Sequence, residues 1–368
     1  MLARFGGIIA GTGLAAACGN PDQSSATSSG PAVLKKQREL TMVTSWPKNF
    51  PGLGTGAQRV ADRIMALSDG RLKIKVYAAG ELVGGLGIFD AVAQGQADLY
   101  HGAEYYFQGK SPAFNFFAAV PFGLTADEHF AWIKFMGGQE LWDELSGTYG
   151  VKPFMAGSSG TQMGGWFSSD INSLEDFKGL RIRMPGLGGE VFRRLGASPV
   201  TMAGGDIFQA LSQGNLDATE WVGPWNDLQF GFYTVIKNYY YPGIHEPGTI
   251  LSCGMNKGLW DDLDDQDKTI IEAATDAENT VMLAEFNARN SESLDVLINQ
   301  HGVQLKRFSD DILKALGTTS KTVLEEAAKT DDITARVFDS FMKARRQAIR
   351  WGGIAERAFA NARDLDSW

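Results

Sequence analysis

Apolar positions along this chain recur first with the period of a strand and then with the period of a helix. An apolar strand pattern at residues 40–44 is followed by a helical pattern at 54–68 and by a half-buried strand pattern that starts at Leu72. Another helix and strand follow and end near His101. This β-α-β-α-β order predicts an α/β fold built on a parallel sheet with crossover helices.

One ten-residue pattern, Phe-x-Ala-x-x-Gln-Gly-x-x-Asp, occurs twice, from Phe89 to Asp98 and from Phe208 to Asp217. Each copy has the features of a helix end, a glycine stop and the entry to a short strand. The repeat therefore predicts two similar α/β lobes, and coincidence is the alternative. A cleft shared by two lobes is a common place for a small ligand.

A long helical pattern runs from about Asp264 to His301 and closes at Gly302. About 36 residues at about 1.5 Å each give a length of about 54 Å, enough to lie across both lobes. A last amphipathic helix in the tail carries a basic face and an apolar stripe. The residues of the stripe are Ile333, Val337, Phe341 and Met342.

The N-terminus has the features of an export signal. Residues 1–18 carry one charge, Arg4, and a short apolar run that ends at Ala17-Cys18, too short to span a membrane stably. Cys18 also allows a lipid-anchored N-terminus, beside the alternatives of an ordinary secreted signal and a buried hydrophobic start. Residues 19–38 are predicted to form a flexible tether.

Net charge and cysteine content exclude several classes of protein. The chain has a formal net charge of −9, and removal of residues 1–18 would take away Arg4 and no acid, leaving −10. An exported protein with this charge is not expected to bind nucleic acid. With Cys18 in the anchor, Cys253 stands alone, so neither a disulfide framework nor a cysteine metal site is expected.

Two arginines in one predicted strand differ in their expected roles. Arg183 stands at the carboxyl end of the strand, immediately before Met184-Pro185-Gly186, which is where open α/β sheets place their ligands. A guanidinium there offers two parallel donors that match a carboxylate. Arg181 is the better candidate for an ordinary surface charge.

Glu220 lies in an acidic and aromatic stretch with Trp221 and Trp225. A carboxylate in such surroundings needs a partner, because an unpaired buried charge is very costly. One interpretation is a structural ion pair. The other is a site for a hard cation, in which oxygen atoms from Glu220, the Gln162 side chain and a backbone carbonyl hold sodium or calcium.

Several ordered motifs resemble the extracytoplasmic solute-binding proteins of TRAP transporters, and within them the subgroup that binds 2-oxo acids and related monocarboxylates. The resemblance covers about residues 40–351. It rests on Gln162-Met163-Gly164-Gly165-Trp166-Phe167, Gly179-Leu180-Arg181-Ile182-Arg183, Asp217-Ala218-Thr219-Glu220-Trp221-Val222-Gly223-Pro224, Tyr240-Tyr241-Pro242-Gly243 and Glu246-Pro247.

The resemblance implies a two-lobed, periplasmic-binding-protein-like fold with a long helix across both lobes and a C-terminal helical extension. On this basis we expect lobe 1 at 39–124 with return segments at 218–255, lobe 2 at 125–217 with segments at 256–310, and the extension at 311–368. The resemblance also implies a homodimer formed through the C-terminal helices.

The resemblance further implies a role for each site residue. Arg183 would bind the substrate carboxylate, while Gln162, Glu220 and the Trp221 carbonyl would hold a sodium or calcium ion that also touches the substrate. Three further positions would line the pocket: Tyr105, Tyr106 and Glu246. The expected ligand is pyruvate, a longer 2-oxo acid or lactate, delivered to TRAP membrane permease subunits from the periplasm.

Two other classes of function remain open on the sequence. An exported lyase or hydrolase could use Glu220 as a base, although the chain shows no second paired acid or nucleophile motif. A lipid-anchored interaction protein is favoured only by the tether and the tail helix. The sequence assigns no role to His245 or Asp227.

Overall fold

The computed structural model describes residues 37–365. Its strands are β1 (Arg38–Thr44), β2 (Leu72–Tyr77), β3 (Leu99–Gly102), β4 (Val151–Gly160), β5 (Gly165–Phe167), β6 (Arg181–Arg183), β7 (Ser198–Val200), β8 (Ala218–Thr219), β9 (Asn238–Tyr241), β10 (Thr249–Asn256) and β11 (Gln304–Arg307). Its helices are α1 (Leu53–Leu67), α2 (Ile88–Ala93), α3 (Ala126–Phe135), α4 (Gly138–Gly147), α5 (Gly186–Arg194), α6 (Gly204–Ser212), α7 (Pro224–Phe230), α8 (Lys257–Asp261), α9 (Asp265–Asn299), α10 (Asp310–Ala327), α11 (Asp332–Ile354) and α12 (Glu356–Arg363).

The predicted signal (1–18) and nearly all of the predicted tether (19–38) lie outside the described residues, as does Cys18. Across the described part of the chain, none of the helices combines the length and the apolarity that a bilayer crossing requires. Cys253, the cysteine within that part, is buried and has no disulfide partner there.

The strands form two sheets, each at the centre of one lobe. The first has the order β2-β1-β3-β10-β4. Its first three strands are parallel, as the β-α-β-α-β pattern predicted, and β10 runs antiparallel to both of its neighbours. The second sheet has the order β11-β9-β5-β8-β6-β7, and β5 runs antiparallel to both β9 and β8. Both sheets are therefore mixed.

The strands cross between the lobes at points that differ from the expected boundaries. β4 lies in the first sheet although residues 125–217 were assigned to lobe 2, and β8 and β9 lie in the second sheet although residues 218–255 were assigned to lobe 1. The chain thus changes lobes between β4 and β5 and returns between β9 and β10. Periodicity can indicate where a strand lies, but pairing between segments that are far apart in the chain has no local signal.

The repeated sequence pattern is a repeated structure. In the first copy α2 is capped by Gln94, Gly95 adopts φ +72°, and the chain enters β3. In the second copy α6 is capped by Gln213, Gly214 adopts φ +70°, and the chain enters β8. This left-handed backbone is accessible to glycine without a steric penalty, which explains the glycine at both stops.

The final aspartate of each copy fastens its strand entry to a neighbouring strand. Asp98 accepts hydrogen bonds from the backbone and hydroxyl of Thr41 in β1 at 2.7 and 2.9 Å. Asp217 accepts from the backbone and side chain of Arg181 in β6 at 3.0 and 2.8 Å. Each lobe contains one copy, so the repeated pattern is a structural motif of the fold and not a ligand-binding motif.

Helix α9 confirms the predicted long helix to within two residues at each end, and it contacts both lobes. On the first lobe Asn279 accepts a hydrogen bond at 2.7 Å from the backbone of Gly157 in β4. Eleven positions further along, Asn290 accepts one at 3.1 Å from the backbone of Trp225 in α7. The same rigid helix is therefore bonded to the first lobe and to the segment that follows Glu220.

The tail helix packs against its own chain. Val337 and Phe341 of α11 are fully buried, and the Phe341 ring makes edge contacts with Phe116 and Trp132 at 5.4 and 5.1 Å between centroids. The polar stretch 321–330 that precedes α11 is in large part the end of helix α10. The predicted apolar stripe is therefore not the free surface that a second subunit would cover.

Two short helices, α3 and α4, precede β4. They are separated at Gly137, which adopts φ +84°, a left-handed conformation that stops the first helix. The stacked rings of Phe117, Trp132 and Trp142 pack between these helices and the first sheet.

Candidate functional site

The two arginines of β6 lie on the same strand but in opposite surroundings. The Arg181 side chain is 49% exposed and pairs with Asp217, whereas the Arg183 side chain is 1% exposed. Arg183 is the last residue of β6, so its side chain projects at the carboxyl edge of the second sheet. A fully buried guanidinium retains its charge, and it must therefore be paired.

Glu220 is the charged partner of Arg183. The Arg183 Nη1 atom donates to the Glu220 carboxylate oxygen Oε1 and, at 3.2 Å, to the Glu220 backbone carbonyl. Nη2 donates to the Tyr106 hydroxyl at 3.2 Å. The guanidinium also lies 5.0 Å from the centroid of the Trp221 ring, within reach of a cation–π interaction. Four of the residues expected at the site are thus in mutual contact.

His245 approaches the second carboxylate oxygen of Glu220. Its Nε2 atom is 3.4 Å from Glu220 Oε2, and both side chains are buried. Burial by itself lowers the pKa of His245, but the hydrogen bond and the charge of Glu220 outweigh it and raise the pKa above its ordinary value. The sequence offered no signal for this contact, because the two residues come together only through the return crossing from β9 to β10.

Gln162 and Glu246 stand on the two segments by which the chain crosses between the sheets. Gln162 Nε2 donates to Glu246 Oε2 at 2.8 Å, to Ser159 Oγ at 3.0 Å and to Thr249 Oγ1 at 3.1 Å. The other end of the Gln162 amide, Oε1, is buried and has no hydrogen-bond partner among the described residues. An acceptor of this kind is costly unless a ligand satisfies it.

Glu246 contributes a second buried carboxyl group. Burial, and then the charge of Glu220, raise the pKa of Glu246 to about 7. The ligand atoms offered by Glu220, His245 and Glu246 all lie within 4.8 Å of one another, so a metal ion could contact the three residues together. His245 was not expected in such a group.

Two aromatic pairs form the walls of the cleft. Tyr105 and Tyr106 lie on a short 3₁₀ turn after β3, with their rings perpendicular at 4.8 Å between centroids. Trp221 packs edge-on against Trp46 at 6.2 Å. The Trp221 indole Nε1 is a buried donor without a partner in the described part of the chain. The cleft therefore holds one unsatisfied acceptor and one unsatisfied donor.

Asp227 lies outside the lining of the cleft. It is buried in α7, and burial raises its pKa to about 7 against the lowering effect of three hydrogen bonds that it accepts. Its donors are the side chains of Trp166 and Tyr239 and the backbone of Val222. The sequence had left the residue without a role.

The cavity at this site is small and apolar on one side. It measures about 10 Å³, roughly the space of one water molecule. Its walls are Trp46, Leu53, Tyr105, Tyr106, Ser159, Gln162, Trp221, Val222, Thr249 and Leu251. Larger cavities of about 510 and 650 Å³ exist elsewhere, but the ionisable residues that line them are at least partly exposed. The convergence of buried charges, and not volume, identifies the site.

The available atoms suit a hard cation. Carboxylate oxygens of Glu220 and Glu246, the free Oε1 of Gln162 and the Trp221 carbonyl are the oxygen ligands that sodium and calcium prefer. The unsatisfied Gln162 Oε1 is the structural observation that favours an ion over a purely internal salt bridge. At the same time Arg183 forms an ion pair with the Glu220 carboxylate, so the structure also agrees with the interpretation of a structural ion pair.

Comparison with known proteins agrees with this arrangement. Residues 42–331 match the family described as bacterial extracellular solute-binding protein, family 7. The chain is 40% identical over 320 residues to the monocarboxylate 2-oxoacid-binding periplasmic protein of Nostoc sp., covering 87% of each chain.

Two solved structures are similar throughout. A TRAP transporter solute-binding protein from Bordetella bronchiseptica, described as a mixed-occupancy dimer with copurified calcium and picolinate, has a TM-score of 0.88 and 32% identity, covering 90% of this chain and 98% of that one. A TRAP periplasmic solute-binding protein from Pseudoalteromonas atlantica with bound sodium and pyruvate has a TM-score of 0.86 and 35% identity, covering 89% of this chain and 99% of that one.

The extent of these matches decides between the classes of function that the sequence left open. The relatives are periplasmic receptors that bind solutes, and they are not enzymes. The geometry also argues against the lyase or hydrolase alternative, because Arg183 and His245 contact both carboxylate oxygens of Glu220, the residue that would act as the base. The chain belongs to the bacterial extracellular solute-binding proteins of family 7, as an extracytoplasmic solute-binding protein of the TRAP transporter type.

Proposed function

We propose that this receptor binds a small 2-oxo or 2-hydroxy monocarboxylate together with a sodium or calcium ion in the cleft between its lobes, and that it delivers the acid to TRAP membrane permease subunits. The observation that carries the proposal is the buried Gln162 Oε1, which lacks a partner in the described chain. Gln162 lines a cavity together with Tyr106 and Trp221, the two aromatic residues that contact Arg183. The named ligands of the similar proteins support the same class of substrate.

The proposed roles of the site residues follow from their contacts. Arg183 binds the carboxylate of the acid, while Gln162, Glu220 and the Trp221 carbonyl hold the cation. Tyr106 already accepts a bond from Arg183, and Tyr105 lies beside it, so both face the bound acid. Glu246 fixes the Gln162 amide with its oxygen free.

The Arg183–Glu220 pair suggests why acid and cation bind together. Arg183 has five N–H groups, and four of them donate to Glu220, Tyr106 and the Met202 carbonyl. A two-bond clamp on a carboxylate therefore needs one of these four bonds to be released, and the bond to Glu220 Oε1 is the one that a cation can displace. A cation that takes over the Glu220 carboxylate releases it, and it also offsets the repulsion between that carboxylate and the incoming acid.

The apolar residues of the cavity limit the size and polarity of the substituent that the acid carries beyond its carboxylate. Leu53, Val222 and Leu251 face the site together with Trp46. A short aliphatic substituent fits these walls, whereas a second carboxylate would meet no positive group there and would lie near Glu246. The arrangement favours monocarboxylates over dicarboxylates.

The site residues can be tested with purified protein. Isothermal titration with pyruvate, lactate and a longer 2-oxo acid, in buffers with sodium, calcium or neither, would show which acid binds most tightly and which ion it requires. Mass spectrometry of the supernatant after denaturation should recover the acid unchanged. A dissociation constant above the millimolar range for every monocarboxylate, in sodium and in calcium, would contradict the proposal.

The location and assembly of the receptor are part of the same proposal. Residues 1–18 direct export, and Cys18 carries a lipid anchor that retains the receptor at the membrane. Exposed apolar side chains near the C-terminal end pack against a second copy of the chain in a homodimer. They are Ile349, Trp351, Ile354 and Phe359. The mixed-occupancy dimer of the Bordetella protein supports this assembly.

A further inference from the structure

Asp227 connects the aromatic interior of the second lobe to the segment that follows Glu220. Its Oδ2 atom accepts hydrogen bonds from Trp166 Nε1 at 2.9 Å and from the Tyr239 hydroxyl at 2.7 Å. Its other oxygen, Oδ1, accepts from the backbone N–H of Val222 at 3.3 Å. The carboxylate is buried, so each of these contacts is shielded from water.

The Val222 N–H belongs to the same peptide unit as the Trp221 carbonyl. A peptide unit is planar, and this one is trans, so its N–H and C=O point in opposite directions. Holding the N–H against Asp227 therefore fixes the direction of the Trp221 oxygen on the other side. No residue of the described chain donates a hydrogen bond to that oxygen. It is thus available to a ligand.

The support for Asp227 is itself rigid. The rings of Trp166 and Tyr239 are stacked, with centroids 4.1 Å apart, and they belong to the adjacent strands β5 and β9. On the far side of the same residue, the Val222 carbonyl accepts a hydrogen bond from the Met163 backbone at 3.0 Å. Val222 is therefore held at both its N–H and its C=O, which leaves the Trp221 carbonyl little freedom to rotate.

A buried carboxylate on the N–H side of a peptide also strengthens the acceptor on its carbonyl side, because hydrogen bonds along a chain polarise one another. Groups that orient metal ligands from outside the coordination sphere commonly change metal affinity by about 10- to 100-fold.

We infer that Asp227 is a positioning residue for the cation site: through the Val222 N–H it aims and polarises the Trp221 carbonyl toward the ion. This inference rests on the proposed function, because it requires that the Trp221 carbonyl is a cation ligand. It assigns to Asp227 no contact with the ion or with the transported acid.

The test compares two substitutions that disturb the same buried cluster differently. D227N leaves one acceptor oxygen for three donors and so weakens the hold on Val222. Y239F removes only a donor to Oδ2 and leaves the Asp227 bond to Val222 in place. Calcium and sodium affinities are measured by isothermal titration without any acid present, and thermal unfolding without ions is measured for each protein.

The expected result is a cation affinity at least about 10-fold lower for D227N and within about threefold of the wild type for Y239F, although both variants lower the melting temperature. Equal cation affinity in D227N and Y239F, with both destabilised, would show that Asp227 is only structural and would overturn the inference while leaving the proposed function intact. A wild-type protein that binds neither ion would overturn both.

Should D227N not fold alone, the double variant D227N/Y239F removes one of the donors that the asparagine cannot satisfy. Its comparison with Y239F isolates the same change. A further loss of cation affinity of about 10-fold relative to Y239F supports the inference, and no further loss contradicts it.

Discussion

Gln162 donates a hydrogen bond of 2.8 Å from its Nε2 atom to Oε2 of Glu246, and the two residues stand on the two segments by which the chain passes between its lobes. Two backbone contacts, from Gln162 N to the Glu246 carbonyl at 3.1 Å and from Gly243 N to the Gln162 carbonyl at 3.0 Å, bind the same segments together. The unsatisfied Gln162 Oε1 is thus fixed at the junction of the lobes.

Replacement of Arg183 by lysine should weaken binding of the acid. Lysine retains the charge but cannot supply two parallel N–H groups to a carboxylate. The loss of one charge-assisted hydrogen bond corresponds to about a 10- to 100-fold higher dissociation constant. Calorimetry with the preferred acid in saturating cation measures it. The matched control is R181K on the same strand, where the exposed pair with Asp217 contributes little and affinity should stay within about twofold.

Replacement of Glu220 by glutamine should remove the dependence of acid binding on the cation. The ion loses its anionic ligand, and Arg183 loses the carboxylate with which it is paired. Acid binding should then be equally strong with and without sodium or calcium. Calorimetry in both buffers measures this. The control is D217N, which changes a half-buried acid at the entry of β8 that does not line the cavity, and it should keep the wild-type dependence. Retention of the full cation effect in E220Q would contradict the assignment.

Glu104 should make the protein less stable as the pH rises from about 4.5 to about 7. Glu104 is fully buried, and burial raises its pKa from 4.5 to about 7, so the folded state binds more protons than the unfolded state within this window. The favourable contribution is complete below pH 4.5 and is lost by pH 7. Asp227 and Glu246 act in the same direction.

Chemical denaturation across that window tests the Glu104 effect. The stability lost between pH 4.5 and 7 should be smaller in E104Q than in the wild type by about 1–3 kcal/mol. The control E144Q changes an exposed glutamate paired with Arg336 and should leave the slope nearly unchanged. Parallel pH profiles for E104Q and the wild type would show that Glu104 is not a titrating group in the folded protein.

The two parts of the tail should behave differently on truncation. Deletion after Lys329 removes Phe341 and uncovers Phe116 and Trp132, so the product should aggregate or unfold. Deletion after Gly353 removes no buried residue of the described chain but takes away the exposed Ile354 and Phe359, and it should leave a folded protein with weaker self-association. Sedimentation velocity distinguishes these outcomes. A wild-type protein that is monomeric at micromolar concentration would contradict the proposed dimer.

The sequence predicted those parts of the fold that have a local signal. Periodicity located β1, α1, β2 and the long helix α9 to within about two residues, and the repeat of Phe89–Asp98 at Phe208–Asp217 correctly indicated two similar lobes. The hydrophobic pattern could not predict which strands pair with one another. β4 and β10 are neighbours although about 90 residues separate them, so hydrophobic pattern gives no information on which sheet they join.

The site shows the same division. The sequence located Arg183 at the carboxyl end of its strand, which is where β6 ends, and the pairing of the half-exposed Arg181 with Asp217 agrees with its expected role at the surface. The contact of His245 with Glu220 and the support of Val222 by Asp227 depend on the return crossing and on the packing of α7, which have no signature in the sequence. The sequence thus identified the residues that bear charge more readily than those that orient them.

The central claim is that the acid and the cation bind to one site and assist each other. The most direct test is calorimetric titration of the preferred monocarboxylate into cation-free protein and again in saturating calcium or sodium. We predict that one of these ions lowers the dissociation constant of the acid at least about 10-fold, and that the acid tightens binding of the ion by the same factor, as linkage requires. Equal affinities for the acid with and without either ion would contradict the claim.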